Sequence, residues 1–127
     1  MAEAKTVRSV TGRQTTAGAA EETVLISLDG SAPAASISLG VGTSLTVTDW
    51  VATATAAANF RFQQTNNGST WFDLFMLRLA ADGTVGVSNM GVGIVVNGGA
   101  NVAIRVRAET PAGAAAVTTS LRAYTSP

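Results

Sequence analysis

Apolar and polar positions alternate along most of the chain, in short runs separated by turn signals. Residues 23–28, TVLISL, put Val24, Ile26 and Leu28 on one parity before Asp29-Gly30 breaks the run. Residues 35–39, ASISL, end at Gly40 and Gly42. Residues 44–55, SLTVTDWVATAT, set Leu45, Val47 and Val51 on one face and Thr46, Thr48 and Trp50 on the other. NFRFQQ at 59–64 alternates Phe60 and Phe62 with Arg61 and Gln63. TVGVS at 84–88 and GIVV at 93–96 follow. NVAIRVRA at 101–108 then sends Val102, Ile104 and Val106 inward and Arg105 and Arg107 outward. AVTTSLRAY at 116–124 closes the series. This period of two, rich in Thr, Val and Ile, predicts an all-β sandwich or barrel of about eight strands.

Residues 67–83, NGSTWFDLFMLRLAADG, break the pattern. Trp71, Phe75, Leu77 and Leu79 are apolar on one parity, and Phe72, Leu74 and Met76 on the other. Read as a strand, the segment needs one face on the core and the other under a neighbouring subunit. A helix over 70–81 is the alternative: Thr70-Trp71-Phe72-Asp73 fits a capping box, and LFMLRLAA contains good helix formers. Apolar side chains would surround that helix, more than a small β-protein can bury. Asn67-Gly68 just after NFRFQQ is also a strong hairpin signal, so a strand is expected.

Residues 1–22 show neither period and are expected to form an extended N-terminal arm, with the sandwich domain over 23–127. Lys5, Arg8 and Arg13, against Glu3 alone before residue 20, suit an acidic surface on a partner, and Val7 and Val10 suit small apolar anchors. Folding back as an added edge strand is the alternative.

Composition narrows the chemistry. The 127 residues include no Cys and no His, so Ser-His-Asp and Cys-His catalysis are excluded within one chain. Eight basic and eight acidic residues cancel, and charged residues are 13% of the chain against roughly 25% in typical soluble domains. A surface so poor in charge suits an assembly better than a dispersed monomer. Without a basic stripe, nucleic acid is not expected as a partner. No apolar leader segment or run of membrane-spanning length appears, so neither export nor a membrane partner is expected.

The remaining motifs have plain structural readings. Asp29-Gly30 and Asp82-Gly83 read as hairpin turns rather than calcium ligands. Asp49 and Asp73 would need to converge to act as a hydrolytic pair. GVGTSL at 40–45 and GVGIVVNGG at 91–99 lack the spacing of phosphate-binding loops. Asn67-Gly68-Ser69 is formally a glycosylation sequon, accounted for by the turn. Trp50, Trp71, Phe72 and Tyr124 read as core or interface rather than a sugar platform, because no polar cluster lies beside them in sequence. The candidate interface residues are Lys5, Val7, Arg8, Val10, Arg13, Trp50, Trp71, Phe72, Phe75 and Leu77. No catalytic, cofactor-binding or metal-ligating residue is assigned, and no cofactor is expected.

Between residues 23 and 124 the chain resembles the small jelly-roll virion proteins of tailed bacteriophages, head decoration (cement) proteins above all. The residues that carry the resemblance are VTDWVATATAAANFRFQQTNNGSTWFDLFMLRLAADGTVGV and NVAIRVRAETPAGAAAVTTSLRAY, with their W-x-D, Asp-Gly turn and I-R-V-R strand. The resemblance implies an antiparallel jelly-roll-like β-sandwich, a non-enzymatic structural role, a homotrimer, and attachment to the major capsid protein or another virion protein. It places the protein on the capsid surface after synthesis in the host cytoplasm. A receptor- or glycan-binding module of a tail fibre or spike is the alternative. A small hydrolase is disfavoured by the lack of His and Cys.

Overall fold

The computed structural model describes residues 6–17, 21–87 and 94–126. Its strands are β1 (Thr6–Ala17), β2 (Glu22–Val24), β3 (Ile26–Leu28), β4 (Ile37–Ser38), β5 (Ser44–Ala54) and β6 (Ala58–Thr65). They continue with β7 (Trp71–Leu79), β8 (Gly83–Val87), β9 (Ile94–Asn97), β10 (Ala103–Glu109) and β11 (Ala115–Ser126). The segment 70–81 therefore holds a strand, Trp71–Leu79, and no helix occurs among the described residues. One antiparallel sheet runs β3-β1-β11-β5-β8, with β9 also on β5; the other runs β2-β10-β6-β7, with β4 also on β10. Their inward side chains form a single hydrophobic cluster, so the fold is an all-β antiparallel sandwich, as the alternation predicts. The two sheets share one order, β1-β11-β5-β8 matching β2-β10-β6-β7. The connections β1 to β2, β5 to β6, β7 to β8 and β10 to β11 each cross from one sheet to the other.

The expected N-terminal arm is corrected over Thr6–Ala17. This segment is extended, but it is an interior strand, paired with β11 from Thr6 to Ala17 and with β3 from Val10 to Gly12. Composition misleads here because backbone pairing, with β11 along the strand and with β3 at Val10–Gly12, satisfies the chain's polar groups whatever the side chains, and one large inward residue is enough to join it to the core. Val10 supplies the inward contact, at 1% exposure, as part of the core. Gly12 leaves room for close packing: a Cβ there would lie 2.8 Å from Ile26 Cγ2 and 2.9 Å from both the Leu25 carbonyl oxygen and Thr119 Cγ2.

The greasy segment is explained by a β-bulge. Phe62 pairs with Phe75 and Gln63 with Asp73, leaving Leu74 as an extra residue in β7. The bulge resets the parity. Phe75, Leu77 and Leu79 stand opposite Phe62, Phe60 and Ala58 and share their inward face. Trp71 and Asp73 face outward, as do Met76 and Arg78 beyond the bulge. Phe72 stands opposite Gln64 at the end of the sheet and is exposed. The apparent two-sided strand thus arises mainly from a register shift, with Trp71 and Met76 the apolar residues that do face outward.

A second bulge lies in β5. Arg122 pairs with Asp49 and Ala123 with Val47, leaving Thr48 extra. Leu45 and Val47 point inward before it, and Trp50, Ala52 and Ala54 after it. Trp50, expected on the opposite face and among the interface candidates, lies at the centre of the core at 0% exposure, while Val51 is exposed. Its ring centroid is 6.1 Å from that of Phe62 and 6.1 Å from that of Phe75, the latter edge-on.

The turn at Asp29-Gly30 has positive φ at both residues, 51° and 79°, and the Ser31 N–H donates to the Leu28 carbonyl at 3.0 Å. Asp82-Gly83 differs from expectation. It links β7 to β8 across the sandwich and closes no hairpin within one sheet.

Candidate binding face

The outward face of the five-stranded sheet carries the richest side-chain chemistry. On β6 it presents Asn59, Arg61, Gln63 and Thr65, opposite Glu109, Arg107, Arg105 and Ala103 on β10. On β7 it presents Trp71 and Asp73 opposite Thr65 and Gln63. Arg61 and Arg107 stand directly opposite each other, an unfavourable pairing of like charges on its own. Glu21 relieves it by reaching between them. Its Oε2 lies 3.0 Å from Arg61 Nε and its Oε1 3.0 Å from Arg107 Nε. The Arg61 contact is one of charge, since Nε is buried and not aligned for a hydrogen bond. Arg107 further donates to Thr23 Oγ1 at 3.1 Å and to the Glu21 carbonyl at 3.0 Å.

From Arg61 the network runs along the face. Arg61 Nη1 donates to Asp73 Oδ2 at 2.6 Å, Gln63 Nε2 to Asp73 Oδ1 at 2.8 Å, and Arg105 Nε to Gln63 Oε1 at 2.8 Å. The Gln63 hydrogen bond, with Arg61 beside it, lowers the Asp73 pKa against the opposing effect of burial. The hydrogen bond to Asp73 raises the Arg61 pKa. Burial, then repulsion from Arg107, lowers that of Arg105. Arg105 meets no carboxylate within ion-pair distance among the described residues. Its guanidinium instead sits 4.2 Å above the centroid of Trp71.

Beside this pair lies a trough. Ser38, Ala103, Thr65 and Trp71 stand in one row across four strands, each directly opposite the next. Ala103 and Thr65 are small and make a low floor, with Trp71 as a wall at one end. The cleft has a volume of about 260 Å³ and takes in Ser36 and Asn101 as well. The hairpin after Thr65 is held by Asn67, whose Oδ1 accepts the Ser69 and Thr70 N–H groups at 2.9 and 2.7 Å. This fixes the approach to Trp71 and gives the Asn-Gly-Ser sequence its structural role.

The interface candidates do not form one surface. Lys5 lies outside the described residues, and Val7 and Arg13 are placed by backbone pairing with Tyr124 and Thr118. Arg8 donates to Asp29 across the first turn. Val10, Trp50 and Leu77 are buried within the chain, and Phe75 packs partly against the core. Trp71 and Phe72 remain accessible on β7. Asp49 and Asp73 are not a pair, since Asp49 stands opposite Arg122 in the six-stranded sheet and Asp73 lies in the other. The expected lack of polar groups around Trp71 is also corrected: Ser36, Ser38, Thr65 and Asn101 gather there from distant parts of the chain. Of this face, Arg61 and Gln63 are signalled in the sequence by the alternation of β6, and Arg105 and Arg107 by that of β10. Comparison of the chain with known protein families, characterised proteins and solved structures finds no match.

Proposed function

We propose that the protein is a non-enzymatic structural component of a bacteriophage virion, a decoration protein that assembles as a trimer and stabilises the capsid lattice through the major capsid protein. The observation that carries this reading is the strand order. Two sheets with the matching orders β1-β11-β5-β8 and β2-β10-β6-β7, each of these eight strands connecting to its counterpart, support reading the sandwich as a rolled ribbon of the jelly-roll kind. Rolled ribbons limit open edges, which suits a domain set among many copies of itself and a shell. Exposed Phe72 and Met76 on β7 and a net charge of zero add apolar, weakly repelling surface for contacts between subunits. Fold alone does not assign a role, so the test is location. Negative-stain images of particles labelled for this protein should show label distributed over the head. Label confined to the tail, or absent from particles, would overturn the reading. The trough at Trp71 favours a second reading, a receptor- or glycan-binding module of a tail fibre or spike.

A further inference from the structure

We propose that the trough beside Trp71 binds an acidic saccharide, with Arg105 taking the acid group, Trp71 packing against a sugar ring, and Ser36, Ser38 and Asn101 bonding hydroxyls.

Arg105 carries the selectivity for acid. The other arginines of the network are neutralised, Arg107 by Glu21 and Arg61 by Glu21 and Asp73. Arg105 instead has one nitrogen on the neutral Gln63 amide and a ring beneath it, which leaves its terminal N–H groups for an outside acceptor. It is also held in place. Gln63 is fixed by Asp73, and Asp73 by Arg61, so the guanidinium is oriented before a ligand arrives. A planar fork of this kind matches a carboxylate or sulfate with two parallel hydrogen bonds.

The rest of the trough selects for sugar. A saccharide presents hydroxyls at its edges and a weakly apolar ring face, and the row offers small polar groups on one side and an indole on the other. At about 4.8 Å per strand, the three steps from Ser38 to Trp71 span about 14 Å, on the order of two to three sugar rings. A peptide strand would ask for side-chain pockets, whereas the floor at Ala103 and Thr65 is shallow. A lone cation makes no track for a nucleic acid backbone.

An acidic-saccharide site rests on the glycan-binding reading and is independent of where the protein sits on a particle. The test is calorimetric titration of the full chain with trigalacturonate, sialyllactose and a sulfated disaccharide, each beside its neutral counterpart. At least one acidic sugar should bind saturably, with its neutral counterpart at least tenfold weaker. Arg105→Gln should remove that difference while the chain keeps a cooperative melt, Trp71→Ala should weaken both sugars, and Thr84→Ala on the opposite sheet should bind as wild type. Failure of every acidic sugar to bind, or undiminished binding by Arg105→Gln, overturns the proposal. Equal binding of acidic and neutral sugars overturns the acid selectivity while leaving glycan binding in place. Equal binding of hexaglutamate, lost with the same variants, replaces the saccharide with an acidic peptide.

Discussion

The indole Nε1–H of Trp50 donates to Thr119 Oγ1 at 2.6 Å, a buried hydrogen bond between β5 and β11 at the middle of the six-stranded sheet. Both partners are almost wholly enclosed, Trp50 at 0% and Thr119 at 3% exposure, so water cannot replace either group. Thr119→Val keeps the shape and removes the acceptor, leaving an unsatisfied indole N–H. The expected cost is about 1–3 kcal/mol in urea unfolding, with Thr119→Ser much closer to wild type. Equal stability of Thr119→Val and wild type would show that the bond contributes nothing.

Gly12 gives a sharper test of β1 as an interior strand. Any Cβ there meets Ile26, Leu25 and Thr119 atoms within 2.9 Å, two of them side-chain methyl groups and one a backbone oxygen. Gly12→Ala should destabilise by about 1–3 kcal/mol through overpacking. Deleting residues 2–17 should abolish the cooperative melt, because it strips a strand from between β3 and β11. A truncated chain that melts like the full one would mean that β1 is dispensable.

Acid should loosen the same region. Asp29 accepts the Ser9 N–H at 2.8 Å and also binds Arg8, and in return its own N–H donates to the Ser9 carbonyl at 2.7 Å. The Ser9 hydrogen bond is the main cause of its lowered pKa, and Asp73 is lowered by its bond from Gln63. A folded-state pKa below the unfolded value contributes stability that is complete above the unfolded pKa, about 3.9 for Asp, and is lost as pH falls through the folded one. The melting temperature should therefore drop below about pH 4, and Asp29→Asn and Asp73→Asn should each show a shallower acid slope. Slopes identical to wild type would remove these carboxylates from the account.

Alternation in the sequence identifies β6 and β10 correctly, and it fails wherever a bulge intervenes. Thr48 and Leu74 each insert one residue, which moves Trp50 into the core and places Phe75 and Leu77 on the same face as Phe60 and Phe62. No local signal marks either bulge, because the extra residue is chosen by the partner strand's register. The trough was hidden for the same reason. Ser38, Ala103, Thr65 and Trp71 are scattered in the chain and meet only through pairings that single-strand patterns do not contain.

The bulge reading predicts different outcomes for two single-residue deletions in β7. Removing Leu74 restores unbroken alternation and keeps Trp71 and Asp73 outward and Phe75 and Leu77 inward, so the chain should still fold. Removing Met76 also restores an alternation, but one that turns Phe75 outward and leaves the smaller Leu74 in its place beside Trp50, so that chain should fold with a markedly lower melting temperature. Circular dichroism melts distinguish them, and similar behaviour of the two deletions would refute the bulge.

Assembly should depend on the two accessible apolar side chains of β7 and not on their inward neighbours. Phe72 and Met76 are 43% and 40% exposed, whereas Leu77 is 4% exposed and Phe75 packs against Trp50. The second edge of β7 has no strand partner among the described residues, leaving backbone groups beside these side chains for another chain to pair with. The wild-type protein should scatter light as a trimer or larger at micromolar concentration. Phe72→Asp and Met76→Asp should keep the wild-type melt and shift the population towards monomer, since a charge at a contact between subunits is costly when desolvated. Phe75→Asp and Leu77→Asp should both fail to fold, because each buries a carboxylate in the core. A wild-type monomer, or oligomers indifferent to charge at Phe72 and Met76, would place the contact between subunits elsewhere or remove it altogether.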